Sequence, residues 1–329
     1  MGTATSAGSA AYGSPTGTMP STPSAAVGRE GRGDSTMVTM SLICALREMQ
    51  AMAGLTGRTL PYDTTAWIDS LKAALERHAW TGEYYIRGYR DDGKPYGHPE
   101  CAEGKIYLNP QAWAILSECA PRDRWIKLMD VTERYLETPH GLKLVWPSYT
   151  KFDPCMGRIS ATMPGVYENG GTYNHAAAFY IAAVLYAGET ARAWHHLEVI
   201  VPDSVANPSD RTGAEPYVLT NCIFGEEAGA RAGTSYFGWY TGTAAWALRL
   251  IHNGFSGLAP DFDGLHVRPA QIPRASGRKQ VERLFRGTRY RMSVQLGQPR
   301  ALLVDGQSAS LDRPLPARPG SKVQVQLTI

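Results

Sequence analysis

The stretch Glu168–Ala183, ENGGTYNHAAAFYIAA, decides how the chain is read. An acid, an amide and two glycines lead into a polar run, and an apolar helix is predicted to start at about His175. The first turn of a helix carries N–H groups with no intrahelical partner and a partial positive charge. A glycine loop feeding that turn predicts a place where an anion can come close to the backbone. His175 adds a donor that can become cationic. The plainer alternative is a histidine that caps the helix through a nearby carbonyl. A second helix start, WYTGTAAWALRL (239–250), repeats the pattern with Thr241, Gly242 and Thr243. Two hydroxyls and free N–H groups suit a phosphate, and a simple threonine cap is the alternative. Two such starts meeting at one anion would be far more specific than either alone, and that is a question for tertiary structure.

Outward from this stretch, apolar residues recur at helical spacing over about 35–55, 63–78, 110–117, 123–137, 175–187, 190–200 and 241–253. Asp34 or Ser35 can cap the first of these. Glycine- or proline-bearing loops separate the runs. After Gly254 the texture changes. GLHVRP, QVERLF, RYRMSVQL, RALLVDG and KVQVQLTI alternate, are rich in β-branched residues and are bounded by Gly and Pro, which predicts short strands. The expected fold is mainly α with a C-terminal β domain. The regular pitch of the helices suggests stacked hairpins, as in part of an (α/α)6 toroid, followed by a small antiparallel, sandwich-like domain. Residues 1–33 are Gly-, Ser-, Thr-, Ala- and Pro-rich and are expected to be disordered. The expected division is 1–33, 34–254 and 255–329.

Composition bounds the function. The chain has 329 residues, and Lys+Arg minus Asp+Glu is 33 − 30 = +3. That near-balance argues against a dedicated nucleic-acid binder. No apolar run is long enough to span a membrane, and no secretory leader is read at the N-terminus. Five scattered Cys, with no metal-ligand spacing, suggest free thiols in a reducing, cytoplasmic setting. The basic segment 274–291 carries interleaved Phe285 and Tyr290. It is better read as a solvated strand face than as an oligonucleotide strip. Eight Trp and seventeen Tyr offer flat surfaces that suit the C–H faces of sugars, although filling a core is their commoner use. Glu168 and Glu215 sit in unusual contexts, YENGG and GAEPYV. A carboxylate pair can run glycoside hydrolysis, but orienting a substrate hydroxyl or holding a loop is the favoured role for each.

HAWTGEYYIRGYRDDGKPYG, EGKIYLNPQAWAIL, MPGVYENGGTYNHAAAF, EPYV, TGTAAW, DFDGLHVRP and FRGTRYR occur in a fixed order. Together they resemble glycoside hydrolase family 94, the inverting disaccharide phosphorylases, over about 27–329. The resemblance implies the later part of an (α/α)6 barrel plus a C-terminal β domain. It implies a reaction in which inorganic phosphate, a substrate and not a cofactor, attacks the anomeric carbon while an aspartic acid protonates the departing oxygen. It places phosphate on His175, Thr241 and Gly242, and the donor sugar on Asn221. Arg158, Thr162, Tyr167, Glu168 and Glu215 become substrate-binding residues. No metal or organic cofactor is implied. A carbohydrate, phosphate and a second copy in a homodimer are the implied partners.

The chain departs from the family in two places. On the acceptor side a family glutamate falls on Arg158, a tyrosine on Thr162 and a lysine on Tyr167. An arginine can hold a carboxylate bidentately, which points to an acceptor such as an aldonic acid. Upstream, VGREGRGDS matches a family segment, but TMPSTPSAA before it carries neither the Asp nor the Trp of the general-acid motif. The general acid is therefore expected outside this chain, and losing positioned acid catalysis costs on the order of 10² to 10⁴ in rate. A part-toroid would also expose apolar helix faces, so self-association and inactivity in isolation are expected. Three readings remain: a fragment of a phosphorylase (or of the related module of a cyclic β-1,2-glucan synthase), a non-catalytic carbohydrate- or phosphate-binding protein, and a hydrolase using Glu168 and Glu215.

Overall fold

The computed structural model describes residues 26–268, 278–297 and 299–329. Most of the leader expected to be disordered, residues 1–25, and residues 274–277 of the basic segment lie outside the described residues. The described end of the leader makes turns, and the N–H groups of Arg32 and Gly33 both donate to Asp91 Oδ1.

The helical runs appear close to their expected positions. α1 is Thr36–Thr56, α2 Thr64–His78, α3 Leu108–Leu116 and α4 Trp125–Leu136. α5 is the single turn Arg158–Ala161, α6 is Asn174–Tyr186, α7 Thr190–Ile200 and α8 the turn Ser209–Thr212. α9, Thr243–Arg249, is shorter than expected because it passes into a π-helical run, Leu250–Phe255, over the poor helix formers Asn253 and Gly254. Ser35, rather than Asp34, caps α1 through an N–H bond from Val38, while Asp34 pairs as a strand with Tyr89.

The contacts divide the chain into two units. The first holds residues up to Ala187 and His196–Ala244. Its helices pack α1 on α2 and α3, and α3 on α4 and α6. α6 is apolar all round, as a fully buried helix must be. Ala176, Ala177, Ala178, Ile181, Ala183 and Val184 of α6 are all buried. Met40 and Ile43 of α1, Ile115 of α3 and Met129 of α4 are equally buried.

The sequence pattern did not announce a sheet inside this helical unit. Thr172–Tyr173, Thr220–Ile223 and Ser235–Gly238 form three antiparallel strands with Thr220–Ile223 in the middle. The strands are two to four residues long and the middle one is wholly buried, so no alternation marks them.

The second unit, Gly188–His195 with Ala245–Ile329, is mostly β. Its five-stranded sheet runs Arg278–Phe285, Thr288–Gln295, Lys322–Thr328, Ala301–Val304, Gln307–Ser308. The first two strands form a hairpin whose two-residue turn, Arg286 and Gly287, has φ of 46° and 77°, the left-handed pair that fits strand twist. The expectation of an antiparallel domain needs correction, because Thr288–Gln295 and Lys322–Thr328 are parallel. Residues 309–321 supply the crossover that a parallel pair needs; Leu315 N–H donates to Leu265 O and Arg318 N–H to Thr288 Oγ1. Tyr290, Met292, Val294, Val323, Val325 and Leu327 face one core shared with Leu258, Leu265 and Val267. The basic hairpin is not a free cationic strip. Glu282 pairs with Arg289 and Arg291, and Arg283 donates to Leu258 O and Asn253 Oδ1.

Candidate functional site

The three-stranded sheet brings the two helix starts together. Its outer strands both run antiparallel to the middle one, so they are parallel to each other and leave the sheet at the same end. Thr172–Tyr173 passes straight into α6, and Ser235–Gly238 passes through Trp239 to Gly242 into α9. A Cβ built on Gly242 would stand 2.6 Å from His175 Cε1, 2.7 Å from Nε2 and 3.0 Å from Nδ1. The imidazole therefore lies flat against the Gly242 backbone, and only glycine leaves room for it. Phe179, one turn along α6, closes the other side at a ring distance of 4.5 Å.

His175 makes no hydrogen bond among the described residues, so the capping-histidine alternative does not hold. Burial holds its pKa below the ordinary value, which keeps the ring neutral near pH 7. α6 begins with no side-chain cap, and its first-turn N–H groups are left without that kind of partner. At the second start the cap reading does hold. Thr241 Oγ1 accepts from Thr243 N–H at 3.1 Å and lies 2.5 Å from the buried Thr243 hydroxyl.

Asn221, on the middle strand, donates its Nδ2 to Tyr240 O at 2.8 Å and so ties the Thr241–Gly242 loop to the sheet. Its Oδ1 is buried without a partner. Asn174, beside His175, repeats this: Nδ2 donates to Thr220 O and Oγ1, and Oδ1 is orphaned. Buried polar atoms are seldom left unpaired, so these two carbonyls stand out beside the helix starts. Asn174 was not singled out from the sequence. Its place next to a histidine at a helix start was the one hint.

The two glycines of the opening stretch serve packing and not ligand approach, which corrects the first reading. A Cβ on Gly170 would meet Ser148 Oγ at 1.9 Å, and one on Gly171 would meet Cys222 Sγ at 2.7 Å. Asn169 is a buried staple: it accepts from Tyr149 N–H at 2.7 Å and donates to Tyr149 O and Thr162 O. The Cys222 thiol is pushed up to about 12 by burial and is inert.

The remaining candidates gather in aromatic surroundings. The Arg158 guanidinium, at the start of α5, lies 5.3 Å over the ring of Tyr167 and makes no ion pair among the described residues. Tyr167 has φ 56°, and its ring touches Tyr173, Tyr236 and Phe237. Burial pushes the Tyr173 hydroxyl up to about 12, so it acts only as a neutral hydrogen-bonding group. Thr162 Oγ1 donates to Arg158 O at 3.1 Å and closes the turn of α5. Glu168 is half-buried and makes no hydrogen bond among the described residues. Glu215 accepts from Trp239 Nε1 at 3.4 Å. The buried Lys143 Nζ donates to Glu227 Oε1 at 2.7 Å, tying Glu226–Arg231 to the strand Gly141–Leu142 region; that pair was missed in the sequence. No helix among the described residues is long and apolar enough to cross a membrane, and all five cysteines are free.

Comparison with known proteins shows the family. Residues 19–257 match the family described as "Glycosyl hydrolase 94 superfamily, catalytic domain". The chain is 34% identical over 294 residues to solabiose phosphorylase of Paenibacillus borealis, covering 87% of this chain and 38% of that protein. It is 32% identical over 313 residues to cellobionic acid phosphorylase of Neurospora crassa, covering 92% of this chain and 39% of that one. The cyclic beta-(1,2)-glucan synthase NdvB of Rhizobium meliloti is 36% identical over 234 residues, 69% of this chain but 8% of the synthase. The chain thus spans less than two fifths of the length of the two phosphorylases. A family match over 19–257 takes in every candidate residue from Arg158 to Gly242, and the chain belongs to the glycosyl hydrolase 94 superfamily.

Proposed function

We propose that this chain carries the phosphate- and acceptor-binding part of the catalytic pocket of an inverting glycoside phosphorylase. In this reading the helical unit is the later part of an (α/α)6 toroid. The observation that carries the proposal is the imidazole of His175, without a hydrogen bond among the described residues, lying against the Gly242 backbone at the shared end of one sheet. His175, Thr241 and Gly242 hold inorganic phosphate. Asn221 orients the donor sugar, and Glu168 and Glu215 meet sugar hydroxyls. A phosphate oxygen attacks the anomeric carbon of a β-glucosyl disaccharide or oligosaccharide. The bond from that carbon to the glycosidic oxygen breaks, the departing oxygen takes a proton, and α-glucose 1-phosphate and an acceptor sugar result. In this reading the proton comes from a carboxylic acid outside this chain, so the chain alone binds without efficient turnover. A homodimer and a soluble, cytoplasmic setting belong to the same reading. Titration with inorganic phosphate tests it: the wild-type chain should show saturable binding, and His175→Ala should weaken it about 10-fold or more. Equal binding by both would overturn the assignment.

Arg158 gives the acceptor its character. It is a half-buried cation with an aromatic ring beneath it and no carboxylate partner among the described residues, which suits a carboxylate on the acceptor, as in an aldonic acid. The likeness to a cellobionic acid phosphorylase supports this. Arg158→Glu should abolish a preference for gluconate over glucose, measured by binding to this chain. An unchanged preference would remove the carboxylate from the proposal. A module of a cyclic β-1,2-glucan synthase is the second reading, favoured by the likeness to NdvB; tighter binding of β-1,2-linked glucans than of disaccharides would distinguish it.

A further inference from the structure

We infer that Tyr217, Trp239 and Glu215 form a saccharide platform that holds a pyranose unit lying beyond the acceptor position assigned to Arg158 and Tyr167. The inference rests on the carbohydrate part of the reading above and not on its phosphate part. Tyr217 is 71% exposed and Trp239 67% exposed. Both are large aromatic rings on the surface, and their centroids stand 6.2 Å apart, edge to face.

Several features show that the platform is held rigid. Trp239 has φ 71° and Phe237 has φ 53°, a left-handed backbone that bulky side chains rarely adopt and that surrounding structure must enforce. The indole N–H of Trp239 is pinned by Glu215 Oε1. Gly238, between the two strained residues, lets the 215–218 turn pack closely: a Cβ there would meet Val218 Cγ1 at 3.3 Å and Glu215 Oε2 at 3.9 Å. A ring fixed in advance loses little freedom when a ligand stacks on it.

The chemistry selects a sugar. An exposed aromatic face covers the axial C–H groups of a pyranose, the second ring flanks it, and the second oxygen of Glu215, beside Trp239, accepts from its hydroxyls. The position selects the outer unit. Phe237, two residues before Trp239, touches the ring of Tyr167, and Trp239 O accepts from Thr241 N–H at 3.0 Å. One strand end therefore links the acceptor residues, the platform and the phosphate loop.

The test titrates the full chain with β-1,2-, β-1,3- and β-1,4-linked glucose disaccharides and tetrasaccharides, read by tryptophan fluorescence and calorimetry. For the best-bound linkage the tetrasaccharide should bind about 10-fold tighter than the disaccharide. Tyr217→Ala, which leaves the strained backbone untouched, should erase that length preference, as should Trp239→Ala, while Trp239→Phe should keep most of it. Inorganic phosphate titrated into Tyr217→Ala should bind as in wild type. A wild-type chain with no length preference, or a Tyr217→Ala variant that keeps it, overturns the platform. Loss of a dimer in Tyr217→Ala by light scattering, with the preference intact, would make this face a protein interface and also overturn it. Failure of phosphate binding alone would sink the phosphorylase reading and leave the platform standing.

Discussion

The two largest sheets of this molecule are built on opposite terms. In the C-terminal sheet Thr288–Gln295 and Lys322–Thr328 alternate inward, mostly apolar residues with outward polar ones over seven or eight positions. Its inner face is a closed core of Met292, Val294, Val323, Val325 and Leu327. In the three-stranded sheet of the helical unit the strands are short, the middle one has no exposed face, and polar atoms are left unpaired at its end. Left-handed aromatics cluster along its edge, at Tyr167, Phe237 and Trp239. The first sheet follows most local rules and is a scaffold. The second breaks several of them at once, and departures from local consistency concentrate where a site must be held ready for a ligand.

The contrast predicts that damage to one sheet is read as stability and damage to the other as binding. Met292→Ala empties a fully buried site in the C-terminal core and should cost about 2–5 kcal/mol in chemical denaturation. It should leave phosphate titration unchanged; weakened binding would show that the two sheets do not serve separate ends. Gly242→Ala should do the reverse. The added methyl collides with the imidazole of His175, and overpacking of that kind costs about 1–3 kcal/mol. The result should appear as roughly 10- to 100-fold weaker phosphate binding, with the C-terminal core still melting as in wild type. Binding within a factor of about two of wild type would break the contrast at its strongest point.

The smallest effect is the titration of His175. Its pKa is depressed in the folded chain, so below pH 6.5 the unfolded state takes up a proton more readily than the folded one. The contribution to stability is therefore complete above pH 6.5 and is lost as pH falls through the folded pKa. Bound phosphate favours the charged ring and should move the titration up. Imidazole proton shifts recorded across pH, with and without phosphate, check both signs. A titration that stays put when phosphate is added would detach the histidine from the anion.

Much of the molecule was legible before any coordinates. Helix positions followed from apolar spacing, and Asp63 and Ser35 cap where small polar residues precede such runs. The C-terminal strands followed from alternation, β-branched residues and bounding Gly and Pro. The site sheet did not, because two- and four-residue buried strands carry no period to detect. The parallel pair was also hidden, since alternation reports which face is buried and not which way a neighbour runs. Thr241 and His175 were visible as helix-start residues. The glycines before α6 were misread, because a glycine that makes room for a ligand and one that makes room for Ser148 or Cys222 look alike in a sequence.

The sequence alone determined most of the helices, the longer C-terminal strands and the residue kinds at the two helix starts, because propensity and periodicity act over a few neighbouring residues. Only tertiary structure decided that His175 and Gly242 touch. They stand 67 positions apart in the chain, and the contact exists because two strands leave one buried partner in the same direction. Strand pairing across that distance depends on which backbone groups find each other in the folded core, and no local signal carries it.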